Sequence, residues 1–186
     1  MDFLINVLIQ EKPSEFIKKN EDKMFELIPE LKNCVGFNQN NMWHVYDVYD
    51  HILHVVDKVP NNLILRLAAL FHDIGKPLVY EEDKLGIGHF YGHWDKSNEI
   101  FLEFATRNNL EENIKYIVSN LILYHDISIE KLDDDGINNL LNIFDKNGII
   151  MLYKLKRSDL LAQNKKFHFM LDDYEQEKNK ILKSMK

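Results

Sequence analysis

The sequence predicts an all-α bundle carrying one long irregular loop, about residues 74–97. Three observations lead there. Gly and Pro are few, 7 and 4 in 186 residues, so the chain has little material for strand-and-turn architectures. Alternation of β-branched and polar residues is nearly absent, whereas apolar residues recur at spacings of three and four along most of the chain. Four of the seven glycines fall between Ile74 and Ser97, where helical periodicity lapses. With 45 % apolar and 11 % aromatic residues, the chain can bury one sizeable core, and one domain over 1–186 is expected.

The N-terminal apolar run, Phe3 to Ile9, lacks a preceding positive charge and a small-residue cleavage site, and is too short to span a membrane. It is expected to pack on the core as a helix. Residues 14 to 28 carry Phe16, Ile17, Met24, Leu27 and Ile28 after a Pro-Ser start, which predicts an amphipathic helix ended by Pro29. Val35 to Asn41 is a polar loop. From Met42 to Val59 a helix is expected, with His44, Val48, His51, Val55 and Val59 on one inward stripe and His54 beside it nearer the surface. Pro60 and two Asn residues close it and cap the next helix. That helix ends LRLAALFHDIGKP, with His72 in line with Leu65, Ala68 and Ala69, and Asp73 one turn beyond Ala69.

The segment 74–97 mixes charges with Phe90, Tyr91, Trp94, His89 and His93, and long irregular loops of this kind are usually functional. A brief hairpin between Val79 and Phe90 fits it. Asp95 or Ser97 can cap a helix running to Asn109. From Leu110 to Asp126 another helix buries Ile114, Ile117, Val118, Leu121 and Ile122, and His125 continues that stripe. Asp133 to Gly136 reads as an acidic turn before a short helix, Ile137 to Asp145. A longer helix from Ile149 places Leu152, Leu155 and Asp159 on one face. An inward carboxylate among apolar neighbours is costly unless paired with a cation. Phe169 to Lys186 is expected to form a final helix with a polar outer face.

The single Cys34 excludes an internal disulfide and a Cys-based zinc site, which fits a cytoplasmic setting. A net charge of −7 argues against a strong general nucleic-acid binder, because Lys and Arg neutralising phosphates dominate that affinity. From Met151 onward nine Lys or Arg stand against five Asp or Glu, a local excess of four. That excess reads as a solvated helix face, and it is compatible with an RNA-related substrate. Three helices thus aim His51, His72 and His125 inward and a fourth aims Asp159. A neutral imidazole beside a carboxylate suits a borderline divalent cation.

Taken together, the motifs YDHILHVVD, LAALFHDIGKP, GHFYGHWDKS, LILYHD and KRSDLLAQ, between Val45 and Gln163, resemble those of the HD-domain superfamily of metal-dependent phosphohydrolases. Their wording is most similar to the HD domain of bacterial CCA-adding tRNA nucleotidyltransferases and poly(A)-polymerase-like proteins. No nucleotidyltransferase catalytic motif accompanies them, so a free-standing HD-domain-like helical bundle is expected, its core motifs at 45–163 with N-terminal helices 1–34 and a C-terminal helix 169–186 packed on it. The resemblance implies His51, His72, Asp73 and Asp159 as ligands of a first metal. It implies His93 and His125 for a second, with Asp73 bridging, and prefers His93 to His89. Asp73 and Lys76 are the implied catalytic residues, Lys76 facing the substrate phosphate. Asp126, a helix-end residue, could position a water if the second metal is absent.

One or two divalent transition metals (Mn, Fe, Ni, Co or Zn) suit mixed His and carboxylate ligands better than Mg or Ca. The expected function is hydrolysis of a phosphorylated small molecule, such as a nucleotide, or of an RNA-end phosphoester, cyclic phosphates included, without membrane partners. Two other readings keep the same ligands. One is a non-catalytic metal-binding module for RNA or protein recognition, the other a di-iron oxygenase.

Overall fold

The computed structural model describes residues 1–128 and 132–185. Four short helices open the chain: α1 (Asp2–Leu8), α2 (Pro13–Lys19), α3 (Glu21–Leu27) and α4 (Leu31–Cys34). The single helix expected over 14–28 is broken at Asn20, where φ is −124° and ψ is 34°. The Asn20 side-chain amide donates to the Phe16 carbonyl at 2.8 Å, the local competition with the helical ladder by which Asn ends helices.

The core is built from α5 (Val48–Lys58), α6 (Leu63–Phe71), α8 (Glu112–Tyr124) and α10 (Lys146–Ala162), with α7 (His93–Arg107) packed on α6 and α8. α6 is buried on nearly every side: Leu65, Leu67, Ala68, Ala69, Leu70 and Phe71 are all excluded from water. That is why its sequence is apolar all round rather than on one stripe. α1 packs on α6 and α2 on α5. The buried Arg66 guanidinium fastens the first of these contacts by donating to the carbonyls of Leu8 and Gln10, at the end of α1, where a helix leaves acceptors unpaired. α9 (Asp134–Ile143) precedes α10, and α11 (Leu171–Ser184) lies along α10. Lys186, the last residue of the helix expected from Phe169, lies outside the described residues. Among the described residues no helix is long and apolar enough to cross a membrane.

Three boundaries differ from the sequence expectation, each because of a cap. α5 starts at Val48 and not near Met42, since Asp47 accepts the Asp50 N–H at 2.7 Å and the Gly36 N–H at 2.8 Å. Asp133 accepts the Gly136 N–H, so the acidic turn is the cap and first turn of α9. α7 begins at His93 because Gly92, at φ +76°, turns the chain sharply in the left-handed region that Gly occupies without penalty. The irregular loop is therefore shorter than 74–97. Within it, β1 (Glu81–Glu82) and β2 (Gly88–His89) form the expected small antiparallel hairpin.

Cys34 is fully buried, with Sγ 3.7 Å from the carbonyls of Glu30 and Ile74. Burial, with Asp73 nearby, pushes its thiol well above the ordinary range. The thiolate is the reactive form, so native protein is expected to consume no thiol reagent such as dithiobisnitrobenzoate, and to consume one equivalent after denaturation in guanidinium.

Candidate metal centre

The centre grows from the end of α6. His72 follows its last residue and Asp73 enters a tight turn, both buried (0 % and 2 % exposed). His51 comes from the middle of α5, Asp159 from α10, His93 from the first turn of α7 and His125 from the end of α8. All six residues, and Lys76, converge on one point.

The hydrogen bonds on the far side of each ring decide what these histidines offer. Nδ1 of His72, His93 and His125 donates to the carbonyls of Ala69, Phe90 and Ile122, at 2.8, 2.8 and 2.7 Å. With the proton committed there, a neutral ring presents its Nε2 lone pair inward, the arrangement that orients metal-ligating histidines. Asp73 receives them on two sides. Its Oδ2 lies 3.3 Å from Nε2 of both His51 and His72. Its Oδ1 lies 3.2 Å from Nε2 of His93 and 3.6 Å from that of His125. Asp159 Oδ1 stands 3.0 Å from His51 Nε2 and 4.0 Å from His72 Nε2.

Lone pairs facing lone pairs repel. His93 and His125 meet Nε2 to Nε2 at 3.2 Å, while His51 Nε2, His72 Nε2 and Asp73 Oδ1 are buried without a hydrogen-bond partner. Buried acceptors in such a cluster are costly unless a cation or proton lies among them. Two triads, His51–His72–Asp159 and His72–Asp73–His125, each bring ligand atoms within 4.8 Å of one another. The donor set therefore fits divalent cations.

The electrostatics agree. Burial alone would raise the Asp73 carboxyl, but the charges of His72 and Lys76 and the closeness of the His125 and His51 imidazoles hold it well below the usual carboxylate range. Asp159 is likewise held low against its burial, mainly by the close approach and charge of His51. Burial would lower the His51 imidazole, and the two carboxylates outweigh that and raise it.

Lys76 does not face open solvent. Its Nζ lies 2.7 Å from Asp73 Oδ2 and 2.8 Å from Gln39 Oε1. His44 Nε2 is 3.3 Å away, and His44 packs edge-on against His51 with ring centres 4.8 Å apart. His44 was expected on the α5 stripe but reaches the site from the preceding turn. Gln39, buried to 1 % exposure, sits in a stretch whose composition reads only as loop; no linear signal marks it. Gln163 donates to Asp159 Oδ1 at 3.1 Å. His54 stacks on Tyr46 away from the cluster, and His89 pairs with Asp83 on the hairpin. Asp126 lines the cleft above the site without joining the cluster.

Close approach at Gly75 holds α7, and so His93, against the His72-Asp73 turn. A Cβ added at Gly75 would lie 2.5 Å from the Ser97 nitrogen and 2.9 Å from the His93 carbonyl oxygen, both backbone atoms. Gly75→Ala is expected to cost about 1–3 kcal/mol, read as a fall of several degrees in Tm by thermal denaturation.

A cleft of about 510 Å³ opens over the centre, reaching Lys76, His93 and Asp159. Its rim has two characters. Trp43, His44, His89, Phe90, Tyr91 and Trp94 give it aromatic surface, while Asp126, Asp173 and Glu177, with Lys156, give it charge.

Two curated proteins share part of the sequence. The A-adding tRNA nucleotidyltransferase of Deinococcus radiodurans is 35 % identical over 89 residues, 45 % of this chain and 20 % of that protein. The CC-adding tRNA nucleotidyltransferase of Thermus thermophilus is 39 % identical over 80 residues, 39 % of this chain and 18 % of that protein. The chain thus spans about a fifth of the length of these relatives. The HD domain family matches residues 42–163, the span that contains every residue of the cluster. By that match, and by the all-α bundle that converges its histidines on the His72-Asp73 turn, the chain belongs to the HD domain family.

Proposed function

We propose that this chain is a metal-dependent phosphohydrolase acting on a nucleotide or an RNA-end phosphoester, as a phosphomonoesterase or cyclic phosphodiesterase. The observation that supports it most directly is the division of the two Asp73 oxygens between two sets of imidazole nitrogens. On this reading His51, His72, Asp73 and Asp159 hold a first divalent transition metal (Mn, Fe, Ni, Co or Zn). His93 and His125 hold a second, with Asp73 shared. Such ions, when bound, supply Lewis acidity and a water acidified towards neutrality.

The chain's own residues do the rest. Gln39 and His44 aim Lys76, whose ammonium passes from Asp73 to a non-bridging phosphate oxygen as a point charge. Gln163 holds Asp159 in its orientation. Asp126, Asp173 and Glu177 of the cleft repel further anions, and its aromatic residues give the substrate apolar contact. Both relatives are named for adding nucleotides to tRNA, which supports an RNA-related substrate and a cytoplasmic setting. Residues 1–186 would work as one HD domain, with α1–α4 and α11 packed on it.

A second reading has one observation in its favour. The relatives match this chain over a fifth of their length while being named for a transfer reaction, as expected if this module binds metal and RNA without catalysis.

Elemental analysis of protein purified without chelators, followed by a hydrolysis panel of nucleoside monophosphates and 2′,3′-cyclic phosphates, separates these readings. The phosphohydrolase is expected to carry two metal equivalents, falling to one in His93→Ala or His125→Ala, and to turn over a member of the panel. Tight metal with no turnover supports the recognition module. Bound iron with an oxygen-dependent absorbance change points to an oxygenase instead.

A further inference from the structure

We propose that the site takes the end of a single-stranded oligoribonucleotide and not an isolated nucleotide, because a second cleft continues the first across Trp43. This deepens the reading above and rests on it for the position of the scissile phosphate. The second cleft, about 540 Å³, is lined by Asn38, Asn40, Asn41, Met42, Trp43 and Ile87 with Gly88 and His89. It shares Trp43, Gly88 and His89 with the cleft over the metal centre, so the indole is a common wall.

The wall is built to stay in place. One face of the Trp43 indole stacks on Phe167, ring centres 3.8 Å apart, and the residue remains 41 % exposed. Its backbone carbonyl accepts the Asn164 N–H at 2.8 Å, and the Asn164 amide donates to the Met42 carbonyl at 3.1 Å. On the opposite side the hairpin is tied to the same loop, the Gly88 N–H donating to the Asn40 carbonyl at 2.9 Å. A Cβ at Gly88 would strike the Gln39 carbonyl and come within 2.7 Å of Tyr80. The loop and hairpin can therefore close together only around Gly.

The chemistry of the second cleft suits a base and its phosphate. Met42 and Ile87 are exposed at 68 % and 41 % and offer apolar contact beside the indole, a flat aromatic surface of the kind on which bases stack. Asn40 uses its NH2 group on Tyr80 and Glu82, leaving its carbonyl oxygen to accept. Asn38 uses its oxygen on the Asn40 N–H, leaving its NH2 group to donate. One acceptor and one donor facing a stacking surface can pair with a base edge in single-stranded RNA.

Charge sets the direction. Asp126, Asp173 and Glu177 of the first cleft repel a phosphate chain, whereas exposed Lys165 and Lys166 immediately precede the Phe167 that supports Trp43. A strand with its terminal phosphoester at the metal centre passes Trp43, where the two clefts meet, into the second cleft.

Fluorescence anisotropy of 5′-fluorescein tri-adenylate ending in a non-hydrolysable 3′-phosphonate, on the full chain as purified with its metal, tests this. The trinucleotide is expected to bind at least tenfold tighter than adenosine monophosphate measured by competition. Met42→Glu is expected to weaken it at least fivefold. Trp43→Ala should do the same. Met42 is a surface residue whose replacement leaves the melting curve in place, so loss of binding there is not loss of fold. Equal affinity for mononucleotide and trinucleotide, or unchanged binding in Met42→Glu, overturns the second cleft. Equal binding of heparin overturns it too, by reducing it to general polyanion attraction. Because no turnover enters the measurement, absence of hydrolysis leaves this result standing. Turnover of nucleotides without length preference would sink the second cleft while leaving the phosphohydrolase.

Discussion

Asp73→Asn is expected to lose bound metal and to reduce hydrolysis by about 1,000-fold or more, while the helical circular-dichroism signal persists. The size follows from the position of the residue. Its two oxygens serve both sets of imidazoles, so the amide removes an anionic ligand from both at once. Electrostatic support of several kcal/mol is then lost, and each 1.36 kcal/mol is a factor of about ten in rate. Asn keeps the volume, so packing around the turn is preserved. The variant also deprives Lys76, 2.7 Å from Asp73 Oδ2, of its anionic partner. Elemental analysis and initial rates on the same preparation check both parts. Full metal occupancy with undiminished turnover would remove Asp73 from the centre.

Chelation should destabilise the native chain markedly, and the effect should depend on pH. A ligand at 100 to 1,000 times its Kd stabilises by about 2.7–4.1 kcal/mol, which for a chain of this size is on the order of 5–15 °C in Tm. EDTA is expected to produce a fall of that size in differential scanning calorimetry. The sign with pH follows from His51. Its imidazole is raised above 6.5 because, against the lowering by burial, Asp159 and Asp73 favour the charged ring. A proton there competes with metal, since only the deprotonated nitrogen ligates. Metal affinity therefore rises with pH through the His51 range and is lost as pH falls through it, from above 6.5 downward. The gap between metal-loaded and EDTA-treated melting curves should close by about pH 5. A gap independent of pH would show that His51 holds no metal.

Much of this was legible in the residues themselves. The helical stripes pointed His51, His72, His125 and Asp159 inward, and each is at the centre. The stripe argument failed for His44, read as part of α5, because the Asp47 cap starts that helix later; His44 arrives from a turn and still faces His51. It failed differently for His93. That residue was placed in a loop, since Asp95 and Ser97 are ordinary caps, yet Gly92 starts α7 earlier and Ser97 accepts the Gly75 N–H at 2.9 Å. Gln39 had no signal at all. A buried amide in a polar loop is invisible until the ammonium it holds is known to lie beside it.

By itself, the sequence determined the all-α class, the residues that face inward and the motif set that places the chain in its family. These are properties of single elements, because periodicity records which way a side chain leaves its own helix. The tertiary structure alone decided how far apart those side chains stand. The separations across α5, α6, α7, α8 and α10 are set by packing, and at one point by backbone touching backbone where Gly75 meets α7. That approach brings His93 to one Asp73 oxygen while the other faces His51 and His72, and the packing of the hairpin on the Asn40 loop at Gly88 joins the two clefts beside Trp43.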